Sequence, residues 1–201
     1  MRILIFLFLT STNSLIYANQ YEPIDFFVSI PYEELPIHEM LELSEEEHVR
    51  LINEMKNKTI NLSSDEATYS IQDGVLKIKL IYGGSLELYV LNKSEGGYLG
   101  VMNSFWGQVS SSQFYEISVS GQISKTEGDL GFSNVYENDL LLPEHRFPES
   151  QNDLLIVSPS EKGVFVAHTN GWHIRKWETK EASFSVTFKW DGRVFQKNIL
   201  P

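Results

Sequence analysis

Between Val75 and Ser120 the chain reads VLKIKLIYGGSLELYVLNKSEGGYLGVMNSFWGQVSSSQFYEISVS. Apolar and polar residues alternate here in runs broken by paired glycines, and little besides an antiparallel sheet fits that pattern. Leu86, Leu88 and Val90 face one way and Ser85, Glu87 and Tyr89 the other, the period of a strand with one buried face. Val75 to Tyr82 alternates less cleanly. Gly83-Gly84 sits where a two-residue hairpin turn would, because primed turns need positive φ and glycine adopts it without steric cost. Gly96-Gly97 marks the next turn, Tyr98 to Trp106 the third strand and Phe114 to Ser120 the fourth. A bulge at Gly100 or Gly107 would change the register. The reading is an antiparallel meander on which the other elements pack.

Upstream, Asp73-Gly74 offers a hairpin turn from a short strand over Ala67 to Ile71. Pro31 to Leu35 fits one helical turn, stopped or restarted by Pro36. Ser44 followed by Glu47 has the spacing of a capping box, and three carboxylates at 45–47 favour a helix N-terminus. His48, Leu51, Ile52 and Met55 then recur on one helical face. The spacing predicts a helix from Glu45 to Asn57, lying on the sheet. Downstream, Gly121 to Ser150 reads as a long irregular connection. Strand patterns resume at Leu154–Val157, Gly163–His168 and Phe184–Phe188, with Asn170-Gly171 and Asp191-Gly192 as hairpin turns. The fold class is therefore α+β: an antiparallel meander sheet with one main N-terminal helix packed on it.

Residues 1–18, MRILIFLFLTSTNSLIYA, have a positive start at Arg2, an apolar run from Ile3 to Leu9 and a small residue at Ala18. That is the layout of a secretory signal peptide, which leaves 19–201 as a single domain. The apolar run is too short to span a bilayer, and no later stretch is long enough. The expected location is periplasmic or extracellular. With no cysteine, the chain has no disulfide framework, thiol nucleophile or thiolate metal site, which fits a bacterial exported protein better than a small eukaryotic secreted module. A net charge of −11 argues against nucleic acid as a partner.

Three segments carry a family likeness: Ile30-Pro31-Tyr32-Glu33-Glu34-Leu35-Pro36, Gly100-Val101-Met102-Asn103-Ser104-Phe105-Trp106-Gly107-Gln108, and Lys189-Trp190-Asp191-Gly192-Arg193-Val194-Phe195. On these, the chain resembles an uncharacterised family of exported proteins from Bacteroides-type bacteria, defined only as a domain of unknown function. The resemblance implies export and one helix-plus-sheet domain, and it transfers no catalytic residue. Family members can carry cysteines near the middle segment, where this chain has none.

No nucleophile elbow, phosphate loop, dinucleotide fingerprint or zinc-protease helix is present, and no cofactor is expected. His38-Glu39 begins like a zinc-protease motif, but position 42 is glutamate. His168 and His173 flank the Asn170-Gly171 turn, with His145 or Glu178 as a third ligand only by guesswork, so no metal site is assigned. Aromatic residues are the remaining candidates. Phe105 and Trp106, together with Trp172, Trp177 and Trp190, fit either core packing or a platform for a peptide or sugar.

Two functional expectations follow. The first is a non-enzymatic exported module that binds a protein, peptide or glycan on a sheet face or edge. The second is a hydrolase whose site lies in the 121–150 connection and draws on Glu127, Asp129, Glu137, Asp139 and His145.

Overall fold

The computed structural model describes residues 21–35, 44–57, 67–80, 83–106, 109–126, 128, 130–169 and 182–201. Six strands follow one another across the main sheet: β1 (Ala67–Gln72), β2 (Val75–Leu80), β3 (Gly84–Asn92), β4 (Tyr98–Trp106), β5 (Val109–Ile117) and β6 (Ile123–Lys125). Each pairs antiparallel with its neighbour in sequence. A second sheet of four strands, β7 (Ile156–Glu161), β8 (Val164–His168), β9 (Ser185–Trp190) and β10 (Phe195–Leu200), has the same sequential order. The predicted α+β class and the meander are both present.

The Asp73-Gly74 turn forms as its sequence requires. Gln72 pairs with Val75, and both turn residues have positive φ, 53° and 70°. From Tyr98–Ile117 to Trp106–Val109 the β4–β5 register is unbroken, with no bulge at Gly100. β5 starts at Val109 rather than Phe114 because pairing with β4 draws the serine-rich run 110–112 into the sheet, against its propensity.

The main sheet is buried on both faces. Leu76, Ile78, Leu86, Leu88, Met102 and Tyr115 belong to one core, and Val75, Tyr89, Leu91, Leu99 and Val101 to another. The first core is closed by a helix that the strand patterns leave unannounced, α1 (Pro23–Ser29). Proline at its first turn supplies a fixed φ, and the Asp25 carboxylate accepts the Glu22 N–H at 3.1 Å. The helix stops at Ile30, which is extended before Pro31 as a residue preceding proline prefers. Phe26 and Phe27 are wholly buried, worth about 2–3 kcal/mol each as apolar area removed from water. Phe26 lies over Gly100, where a Cβ would come within 2.5 Å of its ring.

The predicted longer helix forms as α2 (Glu45–Lys56). Its Ile52 packs on the first core, so it joins α1 on that face. Among the described residues no helix is long and apolar enough to cross a membrane.

The second core fills the space between the sheets with Phe165, Ala167, Val186, Phe188 and Phe195. The expected irregular connection begins with β6 and then runs through three 3-10 turns, Glu137–Leu140, Pro143–His145 and Glu149–Gln151. It is not a solvent loop: Val135, Leu140 and Leu141 are buried in the second core. Two hairpin loops latch the sheets together. Ser94 N–H donates to Gly192 O at 2.9 Å, and Trp190 Nε1 donates to Asn92 O at 2.9 Å.

Candidate functional site

On the face of the main sheet that meets the second sheet, strand register sets residues side by side in rows. Val75, Tyr89, Val101 and Phe114 form an apolar row across β2 to β5. The next row is polar: Lys77, Glu87, Asn103 and Ser112. The second sheet packs on the apolar row, and clefts open where the two chemistries meet.

One cleft, of about 350 Å³, lies between β5 and β7. Ser110, Ser112 and Phe114 of β5 form one wall, and Phe165 and Val157 lie across from them. Residues 132–135 and Leu154-Leu155 complete it. Every lining residue is uncharged, in a chain of net charge −11. Phe132 anchors its aromatic side, with ring centroids 5.6 Å from Phe114, 5.0 Å edge-on from Phe165 and 4.6 Å stacked on Phe195. Such rings hold their shape with few rotatable bonds, so the cleft is largely pre-formed.

A second cleft, of about 600 Å³, lies at the β2–β3 end of the same rows. Its lining is charged, including Asp73, Lys77, Glu87, Glu161 and Lys162. Lys77 and Glu87 neutralise each other across 2.7 Å.

The same rows bury two polar side chains, Asn103 and, against the charged cleft, Tyr89. Asn103 is wholly buried and its Oδ1 accepts the Ser112 hydroxyl at 2.8 Å, while its Nδ2 has no hydrogen-bond partner. The Tyr89 hydroxyl is buried and also lacks a partner. Burial pushes the Tyr89 phenol up to about 12, with a smaller push from Glu87. Asn103 and the Gly163 backbone lie near enough to oppose that shift, though neither completes a hydrogen bond.

The described aromatic candidates, Phe105, Trp106 and Trp190, do not form one surface. Phe105 shares the cleft-side face, beside Ser85 and Ser110, and is half-buried. Trp106 alternates to the opposite face and is 48% exposed. Trp190 packs on Phe195 at 5.1 Å and joins the second core. Trp172, Trp177 and His173, with the Asn170-Gly171 turn, fall outside the described residues. Ser110, Ser112 and Phe132 carry no site motif in the sequence, although the two-residue spacing of Ser110, Ser112 and Phe114 signals that they share a face.

The described acidic candidates of the connection, Glu137 and Asp139, turn to separate partners. Glu137 is wholly buried and its carboxylate accepts the Asp153 N–H at 3.1 Å. Asp139 accepts the Tyr136 N–H at 3.0 Å and pairs with Lys197 at 3.4 Å. His145 is exposed in its 3-10 turn, and Glu127 and Asp129 lie outside the described residues. Among the described residues no three His, Asp or Glu side chains gather as a metal site.

No protein-family profile and no curated protein matches the chain. A solved structure is similar in fold: a domain of an uncharacterised protein from Porphyromonas gingivalis W83, with TM-score 0.54 and 12% identity, covering 88% of this chain and 98% of that one. At that identity the likeness is one of fold alone.

Proposed function

We propose that this protein is an exported, non-enzymatic binding module that holds a protein, peptide or glycan segment in the cleft between β5 and β7. The observation that carries this reading is the cleft's composition: three aromatic rings, serine hydroxyls and no charge. Ligand sites are typically concave and mostly apolar, with a few polar groups that fix orientation. The charged cleft at the other end fits a ligand less well, because its Lys77 and Glu87 already satisfy each other. The hydrolase alternative finds less support, since Glu137 and Asp139 serve the fold of their own connection.

Export to the periplasm or cell surface is part of the proposal and rests on the leader-like pattern at 1–18. Membership of an exported family of Bacteroides-type bacteria is part of the proposal as well, and rests on the three segments at 30–36, 100–108 and 189–195. N-terminal sequencing of protein recovered from the cell envelope should find the chain starting near Asn19. An intact Met1 in the cytoplasmic fraction overturns export. For the cleft, titration of the mature chain with the neutral fluorophore N-phenyl-1-naphthylamine should give saturable enhancement. The variant Ser110→Phe, which adds a ring to the cleft's lining, should abolish it. Enhancement that persists in this variant places the probe elsewhere and overturns the assignment.

A further inference from the structure

We propose that the outer edge of β5 is a docking lane for an extended, apolar peptide, which joins the main sheet as a strand in line with β6 and lowers a side chain into the 350 Å³ cleft. The proposal rests on the reading of that cleft as a ligand site and names the ligand's class.

The first observation is a mismatch of strand lengths. β5 runs from Val109 to Ile117, but the three residues of β6 cover only Tyr115 to Ile117. Thr126 N–H then donates to Phe114 O at 2.8 Å, so the Phe114 backbone groups point to the β6 side. Residues of an antiparallel strand turn their N–H and C=O pairs alternately to either edge. Ser112 and Ser110 therefore point theirs outward as well. Among the described residues no strand pairs with them. The chain itself leaves the lane and crosses to the second sheet, where Leu130 O accepts the Phe195 N–H at 2.7 Å.

The second observation is that the side chains of the same two serines line the cleft. A strand laid on this edge meets two backbone donor–acceptor pairs about 7 Å apart, the two-residue repeat of a polypeptide. A sugar has no matching repeat. The cleft beneath is walled by Phe114, Phe132 and Val157 and carries no charge, so it accepts an apolar side chain. The edge is also undefended. β7 carries Pro159 with a register shift, and β6 and β10 carry Lys125 and Lys197. From Val109 to Gln113 there is no proline and no charge, the devices that protect sheet edges.

The test uses the mature chain, ¹⁵N-labelled, and a short blocked peptide of alternating threonine and valine. With the peptide at ten times its Kd, hydrogen exchange at the Ser110 and Ser112 amides should slow by about tenfold. N-methylating the peptide's amides should abolish the effect, and replacing its valines by serine should weaken binding by about tenfold or more. Ser110→Pro removes an outward N–H and no bond to β4, so the variant should fold and lose the protection at Ser112. If N-phenyl-1-naphthylamine binds but the peptide leaves both amides unchanged, strand addition is overturned while the cleft reading stands. If neither binds, both fall. Amides already protected without peptide overturn the proposal too: at every protein concentration they mark an edge covered by the chain itself, and with a concentration-dependent rise in mass they mark a second copy.

Discussion

The Tyr89 hydroxyl sits in the middle of a sheet buried on both sides, with no hydrogen-bond partner. Its pKa is raised from 10.0 to about 12, mainly by burial. The fold therefore favours the neutral phenol. Stability from this group is complete below pH 10 and falls as pH rises toward 12, at about 1.4 kcal/mol per unit. Tyr89→Phe should remove that loss and, by deleting an unpaired buried hydroxyl, gain about 1 kcal/mol at neutral pH. Urea unfolding of both proteins at neutral and alkaline pH checks this, and equal alkaline losses would exclude burial of Tyr89 as a cause. Gly100 carries a different constraint. Added carbon meets the Phe26 ring at 2.5 Å, so Gly100→Ala should cost about 1–3 kcal/mol by overpacking. Phe26→Leu on the same background should return part of that cost, because the two positions share one contact.

Single elements tie the layers together. β9 ends in Trp190, whose indole N–H reaches Asn92 O across the sheet interface. Trp190→Phe keeps most of the ring packing and deletes that bond, so a loss of about 1 kcal/mol is expected in thermal unfolding. An unchanged midpoint would mean that the backbone contact between Ser94 and Gly192 holds the latch alone. At this scale the strands were the most legible part of the sequence. Leu86-Glu87-Leu88-Tyr89 alternates because one core is apolar throughout while the other meets the polar row at Glu87. The helix α1 was hidden because its seven residues are too few to hold a helix without the sheet beneath them. Its signals were present: Pro23 at the start, Asp25 in the first turn and Pro31 after the end. The start of β5 was hidden for a similar reason, since Ser110 to Ser112 form a strand only through their pairing with β4. The cleft was not legible at all. It is assembled from β5, β7, β8 and the 132–135 segment, and no local pattern states which distant segments will face each other.

In the whole molecule, a helical layer, a six-stranded sheet and a four-stranded sheet stack in that order, and both sheets run in chain order. That simple order governs how the structure is reached. Within each sheet every strand pairs with its neighbour in sequence, and in the main sheet the hairpins close short loops, so little chain entropy is lost per step. The distant contacts come later, when the C-terminal sheet docks and Phe165, Phe188 and Phe195 close over Phe132. Refolding followed by pulsed hydrogen exchange should protect the β2–β4 amides before those of β8 and β9, and simultaneous protection would mean that docking, not hairpin closure, nucleates the fold. A polypeptide of this strand order that emerges end-first from a narrow pore assembles its first sheet in the order of emergence, without waiting for its last residues.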